Sequence, residues 1–290
     1  MERFNVLLVR PGQFLHHDGY SGAARQLCNG LRRLGHPSRV AENELVWDAT
    51  NIVVGAQNLE PELADRLPAN SIIYNVEMMI NGSPFLQILD PFVRRFETWD
   101  YSAANVTAWH AAGVSDRVRL LRPGYLPEDT AIDPAAPSDI DALFFGSLNW
   151  RRDAVLVDIA RHGVRVHAAV NTYGPWRNAL VARAKLILNI HSRQDSVFEF
   201  ARVSYALANH RLLVTEAGAA EDIDADLREA LVIGRASELG ALCRDLLDDE
   251  PRRLALAERA FAIYARRDFT QSLREVLALR AAAAVGLPGD

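Results

Sequence analysis

The sequence predicts an α/β fold of two lobes, each a parallel sheet covered by helices, with a helical C-terminus. Three observations carry this. Short apolar runs alternate with amphipathic stretches almost throughout, which is the pattern of repeated βαβ units. The rhythm stops once, at 127–140, and then restarts. With 290 residues the chain is long for one domain and comfortable for two of about 120–170 residues each.

The elements follow in order. Val6-Leu7-Leu8-Val9 is the first strand, stopped by Pro11-Gly12. Ser21 to Leu34 reads as a helix with Leu27, Leu31 and Leu34 on one face and Gly35 closing it. Ile52 to Val54 and Ile72 to Tyr74 are buried strands. Phe85 to Arg95 is helical despite Pro91, Glu97 to Ser102 is a strand, Asn105 to Ala112 a helix, and Val118 to Leu121 a strand. Pro127 to Asp139 holds three prolines and several acids without apolar periodicity, which marks a linker.

Beyond it, strands are expected at Ala142–Phe145, Val164–Val170, Leu186–Ile190, Leu212–Val214 and Leu231–Ile233. Helices are expected at Trp150–His162, Pro175–Ala184 and Val197–Ala208. From Ser237 the pattern is helical to the end. A serine caps 237–247, Pro251 opens a second helix, and a third runs from Thr270 to Ala284. The resulting assignment is two Rossmann-like lobes with parallel sheets facing a cleft. The first lobe is 1–126, the linker 127–140, and the second lobe 141–290 with the terminal helices.

Composition narrows the function classes. Hydrophobic residues make up 49% and charged residues 24%, an ordinary globular balance. The net charge of -5 lacks the basic surplus that neutralises phosphate backbones, so bulk nucleic-acid binding is not expected. Cys28 and Cys243 are far apart without a CxxC partner and read as free thiols in a reducing compartment. No signal-peptide core and no apolar run of about 20 residues is seen, so the expected location is cytoplasmic. The oligomeric state is left open.

Most catalytic motifs are absent. No GxGxxG follows the first strand, and there is no Walker A, HExxH or GxSxG. Two Asp-x-Asp patterns occur, at Asp139–Asp141 and Asp222–Asp224–Asp226. The first precedes its strand and the second lies in a loop-like acidic stretch, so both read as solvated charge and no metal site is assigned.

Several segments taken together resemble a known family. In the first lobe they are Thr50 to Ala56, Ile72 to Glu77, Trp99-Asp100-Tyr101-Ser102 with Asn105, and Arg122-Pro123-Gly124-Tyr125. In the second they are Phe144 to Asn149 with Arg151-Arg152, Lys185 to His191, and Phe198 to Tyr205 continuing to Glu216. Over roughly residues 40–216 the chain resembles bacterial GT-B, metal-independent glycosyltransferases, related in the second half to spore-maturation-type glycosyltransferase-like proteins. The resemblance implies a nucleotide-sugar donor site in the second lobe and an acceptor site in the first, with no cofactor beyond the nucleotide-sugar substrate. The sequence departs from the wider superfamily at a pair of glutamates seven residues apart, since Leu207 stands eight after Glu199. That departure and the chain's short length for such an enzyme motivate one alternative, an inactive binding or partner subunit; a nucleotide-sugar epimerase on the same scaffold is another.

Physical chemistry selects the candidate residues. A departing nucleoside diphosphate must have its charge neutralised, and without a metal this falls to arginines and helix N-termini. The strand-exit loop Gly146, Ser147, Asn149, Arg151 and Arg152 offers both. His191 to Ser196 leads into the next helix, where Glu199 and Arg202 share a face. In the family-like reading Glu199 holds ribose or sugar hydroxyls and Arg202 supports it or meets phosphate. Glu216 and Tyr173 lie at other strand exits. In the first lobe, His16 or His17 beside Asp18, or Glu77, is the candidate general base on an acceptor hydroxyl. The acceptor itself is not identifiable from the sequence.

Overall fold

A computed structural model describes residues 1–12, 17–79, 84–114, 117–193, 199–217 and 223–285. The chain forms two compact units, Met1–Leu126 together with the chain from Asp268 onward, and Pro127–Arg267.

The first unit holds a six-stranded sheet. Its elements are β1 (Phe4–Leu8), α1 (Ser21–Arg33), β2 (Ser38–Glu42), β3 (Thr50–Val54), β4 (Ile72–Asn75), α2 (Pro84–Val93), β5 (Glu97–Asp100), α3 (Ala103–Ala111) and β6 (Val118–Leu120). The strand order is β2-β1-β3-β4-β5-β6 and every pairing is parallel. A parallel sheet is covered on both faces, so its central strands are apolar throughout; β1 and β3 are buried at every residue. Side chains nevertheless alternate between two layers. Val6, Leu8, Ile52, Val54, Ile72 and Tyr74 join α1, whereas Leu7, Val53 and Ile73 pack with Phe92 of α2 and Trp109 of α3.

The second unit contains β7 (Ile140–Phe145), α4 (Trp150–Arg161), β8 (Val166–Ala169), α5 (Gly174–Arg183), β9 (Ala184–Asn189), α6 (Phe200–Ala208), β10 (Leu212–Glu216), α7 (Ala225–Glu229), β11 (Val232–Gly234), α8 (Leu239–Asp248) and α9 (Glu250–Tyr264). These strands also pair in parallel, in the order β11-β10-β9-β7-β8. No helix among the described residues is long and apolar enough to cross a membrane.

The structure differs from the sequence reading in several places. The last helix, α10 (Phe269–Val285), belongs to the first unit rather than the second. Phe269, Leu273 and Val276 are buried against Leu27 and Leu31 of α1 and Phe4 of β1. Gly30 makes room: a Cβ there would stand 3.0 Å from both Leu273 and Phe269.

The segment read as a linker is docked onto the second unit. Thr130 Oγ1 donates to Ala208 O (2.8 Å), Ala131 N to Asn209 Oδ1 (2.8 Å), and Asn209 Nδ2 to Asp129 O (3.2 Å). Arg211, which is buried, donates to the carbonyls of Pro134, Val181 and Ala182. Its prolines and acids reflect a segment held by side-chain bonds to a helix C-terminus, not a free tether.

Strand β2 was not foreseen. Finally, the helix expected to be capped by Ser237 begins with a 3-10 turn at Ala236–Glu238, where the Glu238 carboxylate accepts from Arg235 N at 2.8 Å. The cap is a glutamate reaching back, not the serine.

Candidate functional site

Strand order shows where each unit can take a ligand. In open parallel sheets, ligands bind beyond the carboxyl ends of strands where successive connections diverge to opposite sides. In the second unit the chain goes from β7 outward to β8 and then returns to pair β9 on the other flank of β7. The divergence therefore lies between the ends of β7 and β9, which are Phe145 and Asn189.

The predicted residues collect there. Gly146 leaves β7 with φ +141, and a Cβ on it would stand 2.7 Å from Arg202 Nη2, so the position requires glycine on both counts. Asn149 caps α4, its Oδ1 accepting from Arg152 N (2.9 Å), while its Nδ2 donates to Ser192 O (2.8 Å). This bond ties the β7 exit loop to the β9 exit loop. Ser147 is exposed, and its carbonyl accepts from Arg152 Nη1 at 2.9 Å.

Three arginines and two glutamates form the centre. Arg152 is buried; its Nε donates to Ile190 O (2.9 Å) and its Nη2 to Glu199 Oε1. Arg202, also buried, donates from Nη1 to Glu199 Oε2 (2.7 Å) and to Asn189 Oδ1, and from Nε to Phe145 O (2.9 Å). Both guanidiniums lie over the Phe144 ring, at 5.4 and 5.0 Å from its centroid. Arg151 pairs through both terminal nitrogens with Glu216 and donates to His191 O at 2.8 Å. Glu216 Oε2 also accepts from His191 N (3.1 Å).

Burial alone would raise the Glu199 carboxyl, but Arg202 and Arg152 outweigh it and hold it below its ordinary range. Burial lowers the His191 imidazole, against the pull of Glu199 and Glu216. The ring is therefore neutral near pH 7, and among the described residues of the cluster three guanidiniums stand against two carboxylates, one positive charge in excess. The amino end of α4 adds its dipole to that charge.

The remaining second-lobe positions are less engaged. Tyr173 stands at the N-cap position of α5, after the edge strand β8. Ser196 lies outside the described residues. Asn189 was not singled out, yet it is buried at the end of β9, receives Arg202, and donates to Thr215 Oγ1 at 2.9 Å. An asparagine closing an apolar strand was the available signal.

The Asp-x-Asp patterns are engaged by cations. Asp139 accepts two bonds of 2.7 Å from Arg183. Asp141 pairs with Arg165 (2.8 Å) and Lys185 (2.9 Å), which hold its carboxyl far below the usual range. Asp224 and Asp226 both meet Arg267; Asp222 lies outside the described residues. Among the described residues no group of three or more His, Cys, Asp and Glu could hold a metal ion.

In the first unit the divergence falls between β1 and β3. His16 lies outside the described residues, as does the side chain of His17, whose backbone opens the turn His17–Tyr20. Glu77 follows β4 and accepts from Tyr20 Oη and from Gln57 Nε2 (3.1 Å). Its backbone is fixed in turn: Glu77 N donates to Asn75 Oδ1 (3.0 Å), and Glu77 O accepts from Asn75 Nδ2 (3.0 Å) and Asn105 Nδ2 (2.8 Å).

Both asparagines are held by Asp100, which is 0% exposed at the end of β5. Asp100 Oδ1 accepts from Ser102 N (3.0 Å) and Asn105 Nδ2 (2.9 Å), and Oδ2 from Asn75 Nδ2 (2.7 Å) and Trp109 Nε1 (3.3 Å). Burial pushes its carboxyl up to about 6, against the lowering effect of these four donors. Asp100 is thus the buried anchor that places Glu77.

No protein-family model matches the sequence, and it has no significant match among curated proteins. Solved structures do match. Alr3699/HepE of Anabaena, in complex with UDP and glucose, is 13% identical with a TM-score of 0.61, covering 97% of this chain and 100% of that one. WaaG, a glycosyltransferase involved in lipopolysaccharide biosynthesis, is 14% identical with a TM-score of 0.60 over 95% of this chain and 98% of that one. AviGT4, a glycosyltransferase involved in avilamycin A biosynthesis, is 13% identical with a TM-score of 0.56 over 99% of each chain. At such identities the likeness is one of fold: this chain has the two-unit, parallel-sheet architecture of the GT-B glycosyltransferases.

Proposed function

We propose that the chain is a cytoplasmic, metal-independent glycosyltransferase that moves a sugar from a nucleoside-diphosphate donor to an acceptor hydroxyl. The observation that carries this reading is the arginine–glutamate cluster at the diverging carboxyl ends of β7 and β9, on the fold of enzymes captured with UDP. Bond cleavage at the anomeric carbon leaves negative charge on the diphosphate. Preorganised guanidiniums and a helix N-terminus stabilise that charge without reorganising. In this reading Arg151, the most accessible of the three, meets the phosphates at the start of α4 with Gly146, Ser147 and Asn149. Arg152 and Arg202 hold Glu199, which receives ribose or sugar hydroxyls; Glu216 aligns Arg151 and His191, and Tyr173 and Ser196 line the donor. Glu77, or His16 or His17, takes the acceptor proton. A general base of this kind is worth about 10²–10⁴-fold.

The Anabaena complexes make UDP and UDP-glucose the first ligands to test. Ligand binding to the folded state alone raises stability by about 2.7 kcal/mol at a hundredfold excess over Kd. UDP or GDP therefore raises the melting temperature, and Arg151→Ala removes the rise, measured against that variant's own unliganded melting point, which is lowered because buried Glu216 loses its cation. Absence of stabilisation by any nucleoside diphosphate at millimolar concentration would rule the reading out.

A further inference from the structure

His191 carries a hydrogen-bond acceptor that the described residues leave open. Its ring Nε2 lies 3.2 Å from Glu216 O. A carbonyl oxygen only accepts, so Nε2 bears the hydrogen and, in the neutral ring, Nδ1 presents a bare lone pair. The residue is 1% exposed, and Nδ1 has no hydrogen-bond partner among the described residues. Burying such an atom unsatisfied is unfavourable, and a second proton on the ring is opposed by the same burial.

Arg151 does not fill the position: its Nη1 is directed to His191 O and to Glu216. A phosphate at neutral pH offers acceptors, which cannot satisfy a lone pair. A hydroxyl can.

We propose that His191 Nδ1 accepts a hydrogen bond from a hydroxyl of the bound nucleotide-sugar, on its ribose or its sugar, and so makes His191 a specificity-determining residue of the donor site. The proposal rests on the nucleotide-sugar reading above. It divides the cluster by chemistry: Arg151 answers the diphosphate, and the imidazole joins Glu199 in answering hydroxyls.

Two substitutions separate the two ring nitrogens. His191→Gln can still donate to Glu216 O but offers no acceptor in place of Nδ1, whereas His191→Asn keeps an acceptor near Nδ1 and loses the bond to Glu216 O. UDP-glucose affinity, measured by titration calorimetry, falls about tenfold or more in the glutamine variant and less in the asparagine variant, since a lost hydrogen bond to an otherwise unsatisfied group is of that size. A purely structural role through Glu216 gives the opposite order and overturns the proposal.

Nitrogen-15 NMR of the histidine rings supplies a readout independent of affinity. The resonance missing from His191→Gln shows a protonated Nε2 and a bare Nδ1, and Nδ1 moves toward the hydrogen-bonded range on ligand addition. Movement with UDP alone identifies a ribose hydroxyl, and movement with UDP-glucose alone identifies a sugar hydroxyl. If both ligands stabilise the protein thermally but Nδ1 responds to neither, or if Nδ1 is protonated from the start, this inference fails while the donor reading stands. If neither ligand binds, the donor reading fails and takes the inference with it.

Discussion

Replacing Asp100 by asparagine sets hydrogen bonding against charge burial at a single atom pair. In the native site both carboxylate oxygens accept two bonds each, from Ser102 N and Asn105 on one side and from Asn75 and Trp109 on the other. An amide has only one oxygen, so whichever way it turns, its NH₂ faces two donors. Hydrogen bonds to a charged group are worth about 1.5–3 kcal/mol each, so two lost bonds cost about 3–6 kcal/mol. Removing the buried charge offsets part of this. The rise in the Asp100 pKa from 3.8 to about 6 corresponds to about 3 kcal/mol.

The net expectation is a loss of up to about 3 kcal/mol at mildly alkaline pH. For a unit of about 150 residues that is up to roughly 10 °C in melting temperature. Urea unfolding followed by tryptophan fluorescence is a suitable assay, because Trp99 and Trp109 are fully buried in this unit. The pH dependence is a second check. A carboxyl whose folded pKa is raised to about 6 contributes stability that is full below 3.8 and lost as pH rises through about 6. Asparagine does not titrate, so the gap between wild type and variant widens on acidification, by about 1 kcal/mol between about pH 7 and about pH 5. A variant more stable than wild type at mildly alkaline pH, or a gap that narrows toward acid, would refute the assignment of Asp100 as the anchor of Glu77.

Three further outcomes follow from the same geometry. Glu199→Ala leaves Arg152 and Arg202 buried without their shared carboxylate, so it lowers stability by about 3–5 kcal/mol in urea melts even with no nucleotide present. Gly146→Ala places a methyl 2.7 Å from Arg202 Nη2 on a backbone at φ +141, so it costs about 1–3 kcal/mol of stability and weakens UDP binding by displacing Arg202. Leu273→Ala opens a cavity between α10 and α1 and costs about 2–5 kcal/mol by urea unfolding, with nucleotide affinity unchanged in the remaining folded protein.

How much of this was legible in the sequence depended on range. Runs such as Thr50–Val54 and Leu186–Asn189 announce themselves as parallel-sheet interior, because both faces of the strand are covered and no polar alternation breaks the signal. Ser38–Glu42 escapes that test. It is an edge strand with a single buried residue, Ala41, and its polarity is that of a loop. In the site, the Glu199–Arg202 contact spans only three residues at the entry to α6, close enough to be read from the sequence. Arg152 joins them across 47 residues and Arg151 meets Glu216 across 65, distances at which only strand order decides what touches. The allegiance of α10 is the same kind of fact, decided by which distant surface receives Phe269, Leu273 and Val276, with Gly30 leaving the space.

That allegiance imposes a schedule on biosynthesis. The helix that completes the first hydrophobic layer leaves the ribosome only after all of 127–267 has been made. The second unit is therefore the first whose parts are all available to fold, while the nascent first unit waits with Leu27, Leu31 and Phe4 uncovered on one side. A polypeptide halted before residue 268 presents that apolar surface to chaperones and proteases, so the emergence of α10, rather than synthesis of the first sheet, completes that layer.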